Sequence, residues 1–396
     1  MPEAENGRLA LYSSIGAELT HYAVDVENAT LVRRATLRLP AMVQYVWPHV
    51  SRRFLYAVTS SRGPGQTGTN SEHHLSALAV DPATGALAFH GAPVPLPARP
   101  IHMTLDGTSE HALVAYNLPS SISVHRLGAD GHIGAPVKQA VTPDGGIYAH
   151  QIRVAASNRM AILVARGNDA TDGKPEDPGS LKVFDYRNGM IGHKATVAPR
   201  AGYGFGPRHL DFHPTRPWVY VSIERQNQLI VFRMGNETLE AEPAFVESTL
   251  AAPAADEVHQ MVGTVRVHPN GRTAYVANRA YKFADKDGRR VAAGGENSLA
   301  VFSLDPTTGK PTRIQNIDTR GFGTRTLSID PSGRLLVAGN LIELAVKSGN
   351  GYDVVPASLS LFRIADDGRL EYLRKVDLQA GRETQFWSGM LELPAA

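Results

Sequence analysis

The segment Phe212-His-Pro-Thr-Arg-Pro-Trp-Val-Tyr-Val221 recurs about 55 residues later as Val267-His-Pro-Asn-Gly-Arg-Thr-Ala-Tyr-Val276. It recurs again as Ile329-Asp-Pro-Ser-Gly-Arg-Leu-Leu-Val337. Each copy reads as an apolar strand, a tight turn built on Pro or Gly, and a second apolar strand. Self-similarity at roughly 40 to 60 residues, with only strand and turn signals inside the repeat, points to a propeller of four-stranded blades. Function is then to be sought where the blades converge.

Seven units can be laid out in one domain spanning residues 1–396: 8–39 plus 384–394, 41–98, 99–143, 144–200, 201–256, 257–318 and 319–380. Each ideally runs strand A, a Pro/Gly turn, strand B, a connection, strand C, an Asp-Pro-x-x-Gly-like turn and strand D. Asp81-Pro-Ala-Thr-Gly85 and Asp305-Pro-Thr-Thr-Gly309 are the clearest C–D turns. Residues 8–39 supply B, C and D without an A, while Phe386–Leu393 is a lone strand. Joining the C-terminal strand to the N-terminal three completes a blade and closes the ring, which removes open edges. The expected fold is an all-β, seven-bladed propeller of four-stranded antiparallel blades. Weak period-2 alternation in many strands suits blades stacked on both faces.

Bulk properties narrow the function classes. A formal charge of +2 over 396 residues offers no basic field for nucleic acid. With no cysteine there are no disulfides, thiolate nucleophiles or thiolate metal sites. The polar start Met-Pro-Glu-Ala-Glu-Asn-Gly-Arg is unlike a signal peptide, and no apolar run approaches the roughly 18 residues that span a bilayer. A cytoplasmic location, no membrane partner and no nucleic-acid partner are therefore expected. Oligomeric state is not legible.

Topology then selects one face. In a blade, strand A lines the central channel and the A–B turn lies at one end of the ring. The starts of A and the ends of B converge on the other mouth. Starts of A carry His102, His150, Arg208, His209 and Arg325; ends of B carry Asn117, Arg166, Glu224, Arg279 and Asn340. The same mouth receives all four long insertions, 62–73, 167–179, 280–297 and 341–357, each a B–C connection. Loops longer than about 12 residues in a compact fold are commonly functional.

Individual residues carry competing readings. His213 and His268 sit in the repeated turn on the plain face and read as scaffold, as does His49. His150 follows Gly145-Gly146 and opens strand A of unit four, where it is either a satisfied channel lining or a catalytic group. Glu224 is equally an ion-pair partner for Arg208 in its own blade or an acid–base group. Arg208 and Arg279 suit stabilising pairs, or an anionic ligand whose oxygens match the guanidinium fork. Lys282, in the unit-six insertion, adds charge nearby or is merely solvated.

Other patterns fail on spacing. Asp169–Gly173 and Asp285–Gly288 lack the distant Glu of a calcium loop. The Gly-Lys pairs at 173 and 309 precede Pro and lack phosphate-loop spacing. His-Glu-x-x-His, Gly-x-Ser-x-Gly and a Trp-Asp repeat are absent.

Gly206-Pro-Arg-His-Leu-Asp-Phe-His-Pro214 followed by Glu224, Ala149-His-Gln151, and Ala277-Asn-Arg-Ala-Tyr-Lys-Phe283 resemble the seven-bladed propeller lactonase family. That family includes propeller-type 6-phosphogluconolactonases and carboxymuconate lactonizing enzymes, and the likeness covers nearly the whole chain. It implies a channel-mouth cluster of one His, one Glu and two Arg, which falls on His150, Glu224, Arg208 and Arg279. His102, His209, Arg325 and Lys282 are expected substrate contacts. No cofactor and no metal are called for. The expected activity is hydrolysis of a small, anionic lactone, with His150 or Glu224 as base and both arginines on the substrate's negative charge. Two alternatives stand beside it: cyclisation of a muconate-type diacid, and a non-enzymatic propeller that binds a ligand or protein. A Glu224→Gln substitution is expected to cut turnover while leaving thermal stability nearly intact.

Overall fold

The computed structural model describes residues 8–63, 71–253, 259–280, 283–286 and 288–394. Among these the one helical segment is a 3-10 turn at Pro199–Gly202; everything else regular is strand. Seven four-layered antiparallel sheets follow in chain order, each stepping outward from an inner strand. The inner strands are Met42–Pro48, Pro100–Leu105, Ala149–Val154, Pro207–Phe212, Gln260–Val267, Phe322–Ile329 and Gln385–Glu392. Each packs beside the next, and the last returns to the first, so the ring is closed.

Closure uses both ends of the chain, as the sequence predicts. Gln385–Glu392 pairs antiparallel with Leu9–Ile15, placing Leu11 opposite Met390, and Glu18–Asp25 and Thr30–Arg38 continue outward. The second strand of each blade is sandwiched between neighbours, which explains fully buried runs such as Ala161-Ile-Leu-Val164. Outermost strands are wet, and in blades two and five they break into short pieces: Leu87–Phe89 with Val94–Pro95, and Thr238–Leu239 with Phe245–Ser248.

The repeated turns have a common chemistry. Asp81 Oδ1 accepts from the backbone N–H groups of Ala83 (3.0 Å) and Thr84 (2.7 Å) and from the Thr84 hydroxyl (2.8 Å). Asp305 repeats the pattern on Thr307 and Thr308. Gly85 and Gly309 close these turns at φ +78° and +75°, a region that favours glycine. Their carbonyls then latch the preceding blade: Tyr12 donates to Gly85 at 2.7 Å and Tyr220 to Gly309 at 3.0 Å. On the plain face His213 and His268 reach the carbonyls of Gly271 (3.0 Å) and Gly333 (2.9 Å) of the next blade, a scaffold role.

Two of the long connections are not loops. Phe283–Lys286 and Arg289–Ala292 form a hairpin in the blade-six insertion, and Leu344–Ser348 and Gly351–Val355 form one in blade seven. They join in parallel at Val291 and Ala345, giving an eighth, accessory sheet shared by two blades.

Candidate active site

Glu224 directly follows the strand Trp218–Ile223 of blade five. Its N–H donates to the Gly206 carbonyl (2.8 Å), and its own carbonyl accepts from Val262 of the next blade (3.0 Å). The main chain at this point is thus clamped between two inner-strand segments. The residue is 3% exposed. Oε1 is engaged by Arg279 Nη2 and lies 3.1 Å from Arg208 Nε, while Oε2 accepts from Arg166 Nη1 at 2.7 Å. Burial pushes the carboxyl up. The guanidiniums of Arg279, Arg208 and Arg166 outweigh it and hold Glu224 at about 2. Arg166 also lies 3.7 Å from Asp169, and three guanidiniums against these two carboxylates keep the local field positive, which suits an anion.

His150 rises from Ala149–Val154 and is 6% exposed. Its ring stacks near Tyr148, with centroids 6.2 Å apart, and lies 5.2 Å from that of His209. Burial pushes its imidazole well below the usual range, and Arg208, Arg325, Arg166 and Arg279 push it further. Both effects favour the neutral ring. Those same charges tie His150 to the Glu224 cluster. The structure thus brings His150, Arg208, Glu224 and Arg279 to one mouth. It adds Arg166, which sequence placed at an end of B but not in the site.

The remaining expected contacts divide. Arg325 lies over the Phe386 ring at 3.8 Å and contributes to the field on His150. His209 and His102 sit deeper in the bore. His209 Nδ1 pairs with the Thr264 hydroxyl at 2.9 Å, and His102, with no exposed surface, lies 3.9 Å from the Tyr45 ring and 6.0 Å from that of His209. Burial holds both well below the ordinary histidine range, with arginine charges adding to the effect. Lys282 lies outside the described residues. Asn340 serves the fold of blade seven, bonding the Thr324, Ser358 and Ser360 hydroxyls.

Glu224 is also not a substitution-tolerant surface acid. Its carboxylate is buried and ion-paired to Arg166, Arg208 and Arg279, so Glu224→Gln is expected to cost stability as well as turnover.

Tyr148 holds φ +58°, unusual for an aromatic residue, and Arg166 stacks over its ring at 4.5 Å. Tyr148 also walls a neighbouring cavity of about 370 Å³ that reaches Arg62, Arg99, Asn117 and Asn168. A larger cavity of about 640 Å³ between blades six and seven touches none of the four cluster residues. Among the described residues, Asp106, Glu110 and His111 are the one set of possible metal ligands in close reach. They belong to the plain-face turn of blade three. Asp106 is already engaged there by the N–H groups of Glu110 and His111 and by the Tyr186 hydroxyl.

The family model of the seven-bladed β-propeller lactonases matches residues 9–343. The chain belongs to that family. Membership makes it an enzyme of the lactonase type. The 6-phosphogluconolactonase of Bacillus subtilis (strain 168) is 24% identical over 344 residues, covering 84% of this chain and 87% of that protein. The 6-phosphogluconolactonase of Enterobacter sp. (strain 638) is 25% identical over 316 residues, covering 78% and 81%. Among solved structures, the periplasmic gluconolactonase of Pseudomonas aeruginosa superposes with a TM-score of 0.68 at 18% identity, covering 97% of this chain and all of that one. A Lactobacillus plantarum protein superposes at 0.66 and 19% identity, covering 97% and 98%. These structural likenesses concern the fold. No helix among the described residues is long and apolar enough to cross a membrane.

Proposed function

We propose that this lactonase hydrolyses a small anionic sugar-acid or carboxylated lactone at the looped mouth, using acid–base groups of its own chain. The observation that carries this reading is the buried His150 imidazole beside the Glu224–arginine cluster, where burial and four guanidiniums favour its neutral form. Lactone opening needs water to attack an ester carbonyl, an oxyanion to be stabilised, and a proton to reach the ring oxygen. Glu224, held at about 2 and engaged by three arginines, is too weak a base for this task. Its role is to fix those arginines. His150 takes the proton from water and returns it to the leaving alkoxide. Arg208 and Arg279 stabilise the developing negative charge. An arriving anion offsets part of the positive field and raises the His150 basicity where it is needed.

The relatives named 6-phosphogluconolactonase make that lactone the first to test. The cyclisation alternative leaned on the stretch after Arg279, of which Tyr281 and Lys282 lie outside the described residues. A cytoplasmic location is part of the proposal, although the Pseudomonas aeruginosa neighbour is described as periplasmic.

His150→Gln, assayed by acid release from a lactone panel, is expected to lose about 10²- to 10⁴-fold in kcat. Undiminished turnover in this variant removes His150 from the mechanism. Turnover that survives exhaustive chelation is expected as well, since no step here calls for a metal; its abolition by chelator and return with added metal would overturn that part.

A further inference from the structure

Arg99 ends the link from blade two into blade three and is 5% exposed. Its contacts are all neutral acceptors: Gln44 Oε1 at 2.6 Å, the Arg62 carbonyl at 3.1 Å and Asn117 Oδ1 at 3.5 Å. Among the described residues it forms no ion pair with a carboxylate. Arg166, which stacks over the Tyr148 ring, has carboxylate partners in Glu224 and Asp169. Burial works against the Arg99 charge, as expected for a cation in low dielectric without a counter-ion. Such a group is costly unless something negative arrives.

The cavity beside it supplies the room. Arg99, Arg62, Asn117, Asn168 and Tyr148 line about 370 Å³, within the range of small-molecule sites. Arg62, whose Nε donates to the Ser71 hydroxyl, is a second arginine in the lining. Tyr148 lines this cavity, and its ring lies 6.2 Å from that of His150 and 4.5 Å from the Arg166 guanidinium, so the two sites adjoin at one side chain.

We propose that this cavity is an oxyanion subsite. It takes the phosphate or carboxylate that the substrate carries at the end remote from its lactone carbonyl, with Arg99 as the principal ligand. The inference rests on the lactonase reading and names the substrate class more narrowly. It also divides the arginines. Arg208 and Arg279 serve the carbonyl, and Arg99 and Arg62 serve the distal charge, a pair of whose oxygens matches the planar guanidinium fork.

The test compares wild type, Arg99→Gln and Arg62→Gln on 6-phosphogluconolactone, a carboxylated lactone and uncharged gluconolactone, with calorimetric titration of inorganic phosphate alongside. For the lactone whose anion fits, Arg99→Gln is expected to raise KM about 10- to 100-fold, the worth of one charge-assisted hydrogen bond, with kcat little changed. The uncharged lactone is expected to show a far smaller change. Whichever charged lactone responds identifies the group. Phosphate is expected to bind wild type and to lose at least tenfold in affinity in the variant. If Arg99→Gln does not fold, Arg62→Gln is read the same way. Equal KM changes for charged and uncharged lactones, or phosphate binding unaltered by either substitution, would overturn the subsite. If no lactone is turned over by wild type, the lactonase reading fails, and the phosphate titration still decides the cavity.

Discussion

Glu224 pairs with Arg166, Arg208 and Arg279 in a space that water barely enters. Glu224→Gln is therefore expected to cost about 3–5 kcal/mol of stability, seen as a lower denaturant midpoint, in addition to any loss of turnover. His150→Gln removes no counter-ion and separates chemistry from folding more cleanly. The sign of the pH dependence follows from two kinds of group. Glu224 is depressed in the fold, so its contribution is present above the unfolded value near 4.3 and is lost as pH falls through about 2. His102, His150 and His209 are depressed too. Below about pH 6.5 the unfolded chain takes up their protons and the native state does not, so stability falls with acidification from that point. Melting temperatures recorded from pH 8 to pH 4 should show this decline, and a flat profile would contradict the neutral assignment. Strand order alone sends starts of A and ends of B to one mouth, which made His150, Arg208, Glu224, Arg279 and Arg166 legible as mouth residues, and the family resemblance then singled out the first four. The part Arg166 plays in the cluster, and Arg99 altogether, were not legible. Each acquires its meaning from partners in other blades, as Arg166 does from Glu224 58 positions away.

At the level of turns and strands, the Asp-Pro-x-x-Gly signature announced its own geometry, because the aspartate and glycine satisfy local backbone requirements. The tyrosine that latches each such turn came from the preceding blade and had no local signal. Tyr220→Phe removes the 3.0 Å bond to the Gly309 carbonyl while keeping the ring, and is expected to cost about 0.5–1.5 kcal/mol with kcat unchanged. Chemical denaturation of the two proteins checks it. The accessory sheet escaped the sequence reading for a related reason. Gly349-Asn350 lies between paired Ser348 and Gly351, a two-residue hairpin signature visible in retrospect. The contact at Val291 and Ala345 joins insertions from successive blades, and neither insertion alone reveals it.

For the molecule as a whole, the repeat dictated the closed ring and its two unlike faces, one of short turns and one of insertions and charge. The seam is where this architecture is most exposed to damage. A chain ending before Gln385 lacks the inner strand of the first blade and leaves Leu9–Ile15 as an unpaired edge. Such a truncation is expected to lose cooperative unfolding and to aggregate, which light scattering and melting curves would show. An intact melt would mean the ring holds with six complete blades. The seam has a second meaning. Leu393 donates its N–H to the Arg8 carbonyl at 2.8 Å, so the first and last described strands run side by side. A short linker across that gap, with new termini cut into a plain-face turn such as Pro269–Arg272, would preserve every strand ladder. The same molecule could then be written as a circular permutant, starting from any blade.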